Sequence, residues 1–180
     1  MNKRIYLSIL MLCTIFMLFS SCSYKLSLNG QSIPPALKTI DIQYFENNAP
    51  LVVNTLSQQF TEALKNRIRS QTNLTIVRGD ADASFSGAIT GYSIAPVSIQ
   101  ATNPNSPPIA GASRLTITVN VKYSYNVKDA SPADKKLSFE QSFSKYKEYT
   151  GDLNNQEQGL IDDIVKQLID DIFNQAFANW

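Results

Sequence analysis

Few side chains in this 180-residue chain could do chemistry, and their spacing excludes most of what they could do. There is no histidine, which removes every Ser-His-Asp or Cys-His nucleophile system and all imidazole metal ligation. Two cysteines, Cys13 and Cys22, are too few for a disulfide framework or a thiolate zinc cluster. Paired carboxylates occur at Asp162-Asp163 and Asp170-Asp171. On one helix Asp163 and Asp170 stand about 10 Å apart along the axis, too far to share an ion. Lys166 lies four residues from both Asp162 and Asp170, so a salt-bridged outer face accounts for the pattern. Gly91-Tyr92-Ser93-Ile94-Ala95 approaches a nucleophile elbow. It lacks the closing glycine, a histidine partner and a strand-to-helix setting. The expectation is a protein that is not an enzyme and uses no metal and no cofactor.

Cys22 is the exception. Lys3 and Arg4 precede an apolar run over residues 5–19, and Ser20-Ser21 then lead to Cys22. A run of about 15 residues is short of the roughly 20 that cross a bilayer as a helix. Leu18-Phe19-Ser20-Ser21-Cys22 resembles a bacterial lipobox. Residues 1–21 are therefore expected to be a signal peptide, and Cys22 the acylated first residue of the mature chain. At about 0.8 kcal/mol per buried CH₂, several acyl chains hold a protein firmly on a membrane. No aspartate follows Cys22, which by lipoprotein sorting rules favours the outer membrane, on its periplasm-facing side. Losing Lys3 and Arg4 leaves 14 basic residues against 15 acidic ones, a balance that gives no footing for nucleic acid.

The other candidates are cations. Lys145 and Lys147 flank Tyr146, Lys135-Lys136 precedes that segment, and Arg114 follows a proline-rich stretch. These five could meet lipid phosphates through charge-assisted hydrogen bonds. The competing reading is a solvated lysine face that keeps a sheet edge soluble. The stretch over residues 101–113, with Asn103, Pro104, Pro107 and Pro108, cannot continue a β-ladder and forms the most conspicuous loop.

The elements that must position these residues follow from periodicity. Residues 22–36 are polar, carry Pro34-Pro35 and read as a tether. Ile40, Ile42 and Tyr44 alternate with polar neighbours as a strand. Pro50 suits the first turn of an amphipathic helix over residues 51–70, with Val53, Leu56, Phe60, Leu64 and Ile68 on one stripe. Residues 74–77 form a short strand, and residues 85–94 another, interrupted by Gly87 and Gly91 as at a bulge or a close backbone approach. Residues 115–127 alternate without exception, and Leu137, Phe139 and Phe143 continue the pattern on a hairpin partner. Asn155 and Gln158 have capping-box spacing ahead of a last helix, whose stripe runs from Ile161 to Phe177. The expected fold is α+β: one domain over residues 37–180, a two-layer sandwich of a mostly antiparallel sheet covered by two helices.

Cys22-Ser23-Tyr24, Pro34-Pro35, Lys38-Thr39-Ile40-x-Ile42 and Phe45-x-Asn47 stand in an order that also includes Ala81-Asp82-Ala83, Gly87-x-Ile89 and Tyr92. With the Arg114 strand and the closing helix, the mature chain resembles the LptE family, the lipopolysaccharide-assembly lipoproteins of the Gram-negative outer membrane. The resemblance implies a non-catalytic plug inside an LptD-type outer-membrane β-barrel, which it helps to assemble and to use in placing lipopolysaccharide in the outer leaflet. Asn103, Pro104, Pro107 and Pro108 then become candidates for contact with the barrel wall. Arg114, Lys135, Lys136, Lys145 and Lys147 become candidates for lipopolysaccharide. The alternative is a lipid-anchored binding or scaffold module of another envelope secretion or assembly machine.

Overall fold

The computed structural model describes residues 33–97, 112–128 and 136–177. Cys22, the tether before residue 33, Asn103, Pro104, Pro107, Pro108 and Lys135 lie outside the described residues.

Six strands form one sheet: β1 (Thr39–Ile42), β2 (Glu46–Asn47), β3 (Thr75–Val77), β4 (Ala83–Pro96), β5 (Ala112–Tyr125) and β6 (Phe139–Thr150). Their order is β3-β1-β4-β5-β6, with β2 also beside β4. Helix α1 (Leu56–Gln71) separates β2 from β3, and α2 (Glu157–Phe177) closes the fold. The α+β class and the two covering helices agree with the sequence pattern. The long strands β4, β5 and β6 are antiparallel, whereas β1 runs parallel to both β3 and β4, and β2 parallel to β4. The parallel part follows from α1: a helix between two neighbouring strands returns the chain to the same end of the sheet.

One face of the sheet is dry. From β5 it takes Leu115, Ile117, Val119, Val121, Tyr123 and Tyr125, all buried on the alternation read from sequence. Leu56, Phe60, Leu64 and Ile68 of α1 and the whole stripe from Ile161 to Phe177 of α2 are buried against the same core. Phe85, Tyr123 and Phe177 meet at ring-centroid distances of 4.9 Å (Phe85–Tyr123) and 5.8 Å (Tyr123–Phe177), so these aromatics are core, not a ligand cage.

Both helix starts differ from expectation. Helix α1 begins at Leu56 rather than at Pro50. The Asn47 side chain intervenes: its amide donates to the Val53 carbonyl at 3.2 Å, and its oxygen accepts the Ala49 N–H at 3.1 Å. Those bonds give the backbone a local alternative to the first helical turn. Helix α2 begins at Glu157, and no capping box joins Asn155 to Gln158. Gln158 instead donates to Gln59 of α1 at 3.2 Å and to Asp162 at 3.1 Å. The turn before α2 is held by Gln156, whose amide donates to the Thr150 and Asp152 carbonyls.

The two glycines of β4 do different work. Between Ile89 and Gly91 the β4–β5 register shifts, a β-bulge. At Gly87, φ is +153° and a Cβ would stand 2.0 Å from the Asn120 carbonyl oxygen and 2.8 Å from the Phe45 ring. A backbone carbonyl cannot move aside without breaking the ladder. Gly87→Ala should therefore lose about 2–3 kcal/mol in chemical denaturation. Gly91→Ala, whose nearest neighbour is the Thr118 side chain at 3.1 Å, should lose less.

Candidate functional site

The face of the β4–β5–β6 ladder turned away from the helices carries small polar side chains in register. Ser86 pairs with Lys122, Ala88 with Asn120, Gly91 with Thr118 and Ser93 with Thr116. On the far side of β5, Asn120 pairs with Ser142, Thr118 with Ser144 and Thr116 with Tyr146. The Thr118 and Ser144 hydroxyls are hydrogen-bonded at 3.0 Å. The bulge makes this row continuous. One extra residue flips the facing of everything beyond it, so Ile89 and then Tyr92 face the core while Ala88 and then Gly91 and Ser93 face outward. The three-residue step from Ile89 to Tyr92, in place of two, was the sequence signal for this. No element covers the face among the described residues.

The candidate cations do not gather into one cluster. Lys145 and Lys147 lie opposite Ile117 and Leu115, on the helix-facing side. There Lys145 pairs with Asp171 at 2.7 Å and Lys147 with Asp163 at 3.0 Å. Arg114 is on the other side, opposite Glu148. Its Nη2 and Nε both donate to Glu148 Oε1, at 2.6 and 3.2 Å, and its guanidinium sits 4.1 Å from the Tyr146 ring centroid. The hydrogen bond to Glu148 pushes the Arg114 pKa up, and the charge of Glu148 adds to it. Lys136 is exposed in the turn before β6.

The aspartates of α2 are paired, though not with Lys166 along the helix. Besides the two lysine pairs, Asp170 holds Arg67 of α1 at 3.0 Å, and Asp162 accepts the Gln59 and Gln158 amides. Apart from the Gln158–Asp162 bond within α2, these contacts run to α1 and β6, which spacing within one helix could not disclose. Among the described residues, no three His, Cys, Asp or Glu side chains come close enough to hold a metal ion.

A polar crevice of about 810 Å³ opens at the other end of the sheet, lined by Thr39, Asp41, Asp82, Ser84, Asn126 and Lys128. Asp82 has a structural task there. Its Oδ2 accepts the Lys38 N–H at 3.0 Å, the Thr39 N–H at 2.9 Å and the Thr39 hydroxyl at 2.9 Å. The same hydroxyl accepts the Asp82 N–H at 3.0 Å, locking the start of β1 to the start of β4.

The family model for LptE, lipopolysaccharide assembly, matches residues 37–176. The chain belongs to the LptE family. LptE proteins are non-catalytic lipopolysaccharide-assembly lipoproteins of the cell envelope that act with the lipopolysaccharide transport machinery. The fold is similar to that of the hypothetical protein CT253 from Chlamydia trachomatis, at TM-score 0.51 and 8% identity, over 79% of this chain and 99% of that one. It is also similar to a minor lipoprotein from Acinetobacter baumannii, at TM-score 0.46 and 13% identity, over 77% and 91%. The rare lipoprotein B from Shewanella oneidensis aligns at TM-score 0.46 and 13% identity, over 76% and 92%. No curated protein matches the sequence. No helix among the described residues of this LptE-family chain is long and apolar enough to cross a membrane.

The residues that carry the LptE resemblance act as pins of the fold. Asp82 clasps β1, Gly87 admits the Asn120 carbonyl, and Asn47 shapes the approach to α1. The Phe45 N–H donates to Thr61 of α1 at 3.1 Å, and the Tyr92 hydroxyl donates to Glu157 at 2.5 Å. Burial, then the Glu157 hydrogen bond, pushes the Tyr92 phenol well above its ordinary range.

The backbone and hydroxyl donors of Lys38 and Thr39 hold the Asp82 carboxyl below its usual pKa. A depressed carboxyl stabilises the fold fully above its unfolded-state pKa, and that stability is lost as pH falls through the folded value. Asp82→Asn should cost about 1 kcal/mol at neutral pH. It should also remove part of the acid-side fall in stability. Thermal melts of both proteins from neutral pH down to pH values below the carboxylate range check both effects.

Proposed function

We propose that this chain is an outer-membrane lipoprotein, held by acyl chains on Cys22, that seats its bare sheet face against the inner wall of an LptD-type β-barrel and assists the barrel in assembly and in delivering lipopolysaccharide to the outer leaflet. The observation that carries this reading is the uncovered face of β4, β5 and β6, with its rows of Ser, Thr, Asn, Ala and Gly. The lumen of an outer-membrane barrel is polar. A face of short side chains, several of them hydroxylated, suits such a wall, because it lets backbones approach and offers hydrogen bonds in both directions. The family supports the partner class. In this reading the segment with Asn103, Pro104, Pro107 and Pro108 touches the barrel, Arg114, near the start of β5, offers a guanidinium to a lipid phosphate, and Lys135 and Lys136 are further candidates for such a contact.

The test uses the full lipoprotein in detergent-solubilised outer membranes. A photo-crosslinker at Thr118 should capture a large β-barrel, and one at Lys166, on α2, should not. Thr118→Trp with Ser144→Trp, placed at a half-buried and an exposed position of the bare face, should reduce barrel recovery at least tenfold, or about 1.4 kcal/mol, while the domain stays folded by circular dichroism. Capture of secretion components and no barrel would transfer the protein to another envelope machine. Cys22→Ala should release the protein from membranes that lack the barrel.

A further inference from the structure

The sheet ends differently on its two sides. Strand β3 has three residues, whereas β6 has twelve, Phe139–Thr150, and no strand lies beyond β6 among the described residues. Proteins guard such an edge by brevity, proline, a bulge or an inward-pointing charge. Strand β6 contains no proline or glycine, and its register with β5 runs unshifted from Phe139 to Thr150. Its inward-facing lysines would be the guard, but ion pairs to Asp171 and Asp163 of α2 hold Lys145 and Lys147, which lessens their charge without cancelling it. The edge is long and regular.

Charge decides what fits it. In an antiparallel pair, directly opposed residues share a face and like charges repel, so consider β6 against β6 of a second copy. Centred on Phe143, the pairing sets Phe143 against Phe143, Gln141 against Lys145, Ser142 against Ser144 and Glu140 against Tyr146. No like charges meet over residues 139–147. Centring on Ser144 opposes Glu140 to Glu148, on Lys145 opposes that lysine to itself, and on Tyr146 opposes Lys145 to Lys147. A slip by one residue would turn helix-facing side chains outward. Centring on Ser142 also opposes no like charges, but it spans only residues 139–145 and sets Phe143 against Gln141. The Phe143 register is longer, over residues 139–147, and places two aromatic rings at its centre, a favourable cross-strand pair.

We infer that two copies of this chain pair antiparallel through β6, centred on Phe143, into one continuous sheet with all four helices on one side and the bare polar face on the other. This goes beyond the barrel reading and is independent of it. The dimer uses the sheet's edge, the barrel its open face, and the pairing concerns lipoprotein not seated in a barrel.

The experiment is sedimentation of the purified full chain in detergent, with two further readouts. A mixture of Ser142→Cys and Ser144→Cys proteins should form, on oxidation, a disulfide mapped by peptide mass spectrometry to positions 142 and 144. Either variant alone should form far less at those positions, because its two cysteines sit on a diagonal about 7–8 Å apart, beyond easy disulfide reach. Gln141 is exposed and faces Lys145 of the second copy twice across the two-fold. Gln141→Lys should therefore weaken the dimer roughly fivefold to thirtyfold, and Gln141→Glu should tighten it by a similar factor. A monomer at every concentration overturns the inference. So does a dimer that gives no cross-link between 142 and 144, or one in which the two Gln141 variants act in the same direction.

Discussion

Two amphipathic helices can cover only one face of a five-strand-wide sheet, and this coverage limit shapes the rest of the molecule. All the large apolar side chains of β5 point to that face, and the stripes of α1 and α2 bury them. The other face must then be able to live in water, and β4, β5 and β6 place polar, charged or very small residues along most of it, with the Tyr146 ring among them. The bulge at Ile89–Gly91 belongs to the same constraint. Without it, Tyr92 would turn outward and leave Glu157, at the start of α2, without the phenol that binds it at 2.5 Å.

Charges at the rim of the helix layer complete the cover. Ion pairs this exposed contribute little individually to stability. Their geometry is still informative: Arg67–Asp170 ties α2 to α1, and Lys145–Asp171 and Lys147–Asp163 tie it to the edge strand. A feature that reads as an acidic patch on α2 and a basic patch on β6 is thereby internally consumed. Arg114 is handled differently, stacked on Tyr146 and bridged to Glu148 on the open side. Both kinds of cation are held in fixed positions, but on opposite faces of the sheet.

What the sequence made legible was governed by range. The alternation of β5 and the stripe of α2 depend on burial periodicity within one element, and both were readable residue by residue. The late start of α1 turned on Asn47 bonding Val53, a side chain competing with a helix turn six residues away. The failure of the capping box turned on Gln158 finding Gln59, ninety-nine residues distant in sequence. The parallel placement of β1 is a topological consequence of α1 returning the chain to the same end, invisible to any local pattern. Of the candidate site, residue types were legible but facing was not: Lys145, Lys147 and Arg114 looked equivalent until the register with β5 separated them.

The motif residues bear on how function is distributed. Asp82, Asn47 and Tyr92 spend their chemistry on neighbouring backbone and side chains, Gly87 makes room for the Asn120 carbonyl, and the Asp82 carboxylate is satisfied three times over by Lys38 and Thr39. Motif residues of this kind build a platform and take no part in the exposed rows it carries. A partner that recognises the protein must then read what the pins present: a face of mostly short polar side chains, one stacked guanidinium and a long strand edge. Recognition of that kind depends on shape and backbone approach more than on any single side chain. That is why the bulge and the glycines of β4, which carry no side-chain chemistry of their own, have as much claim on function as the cations.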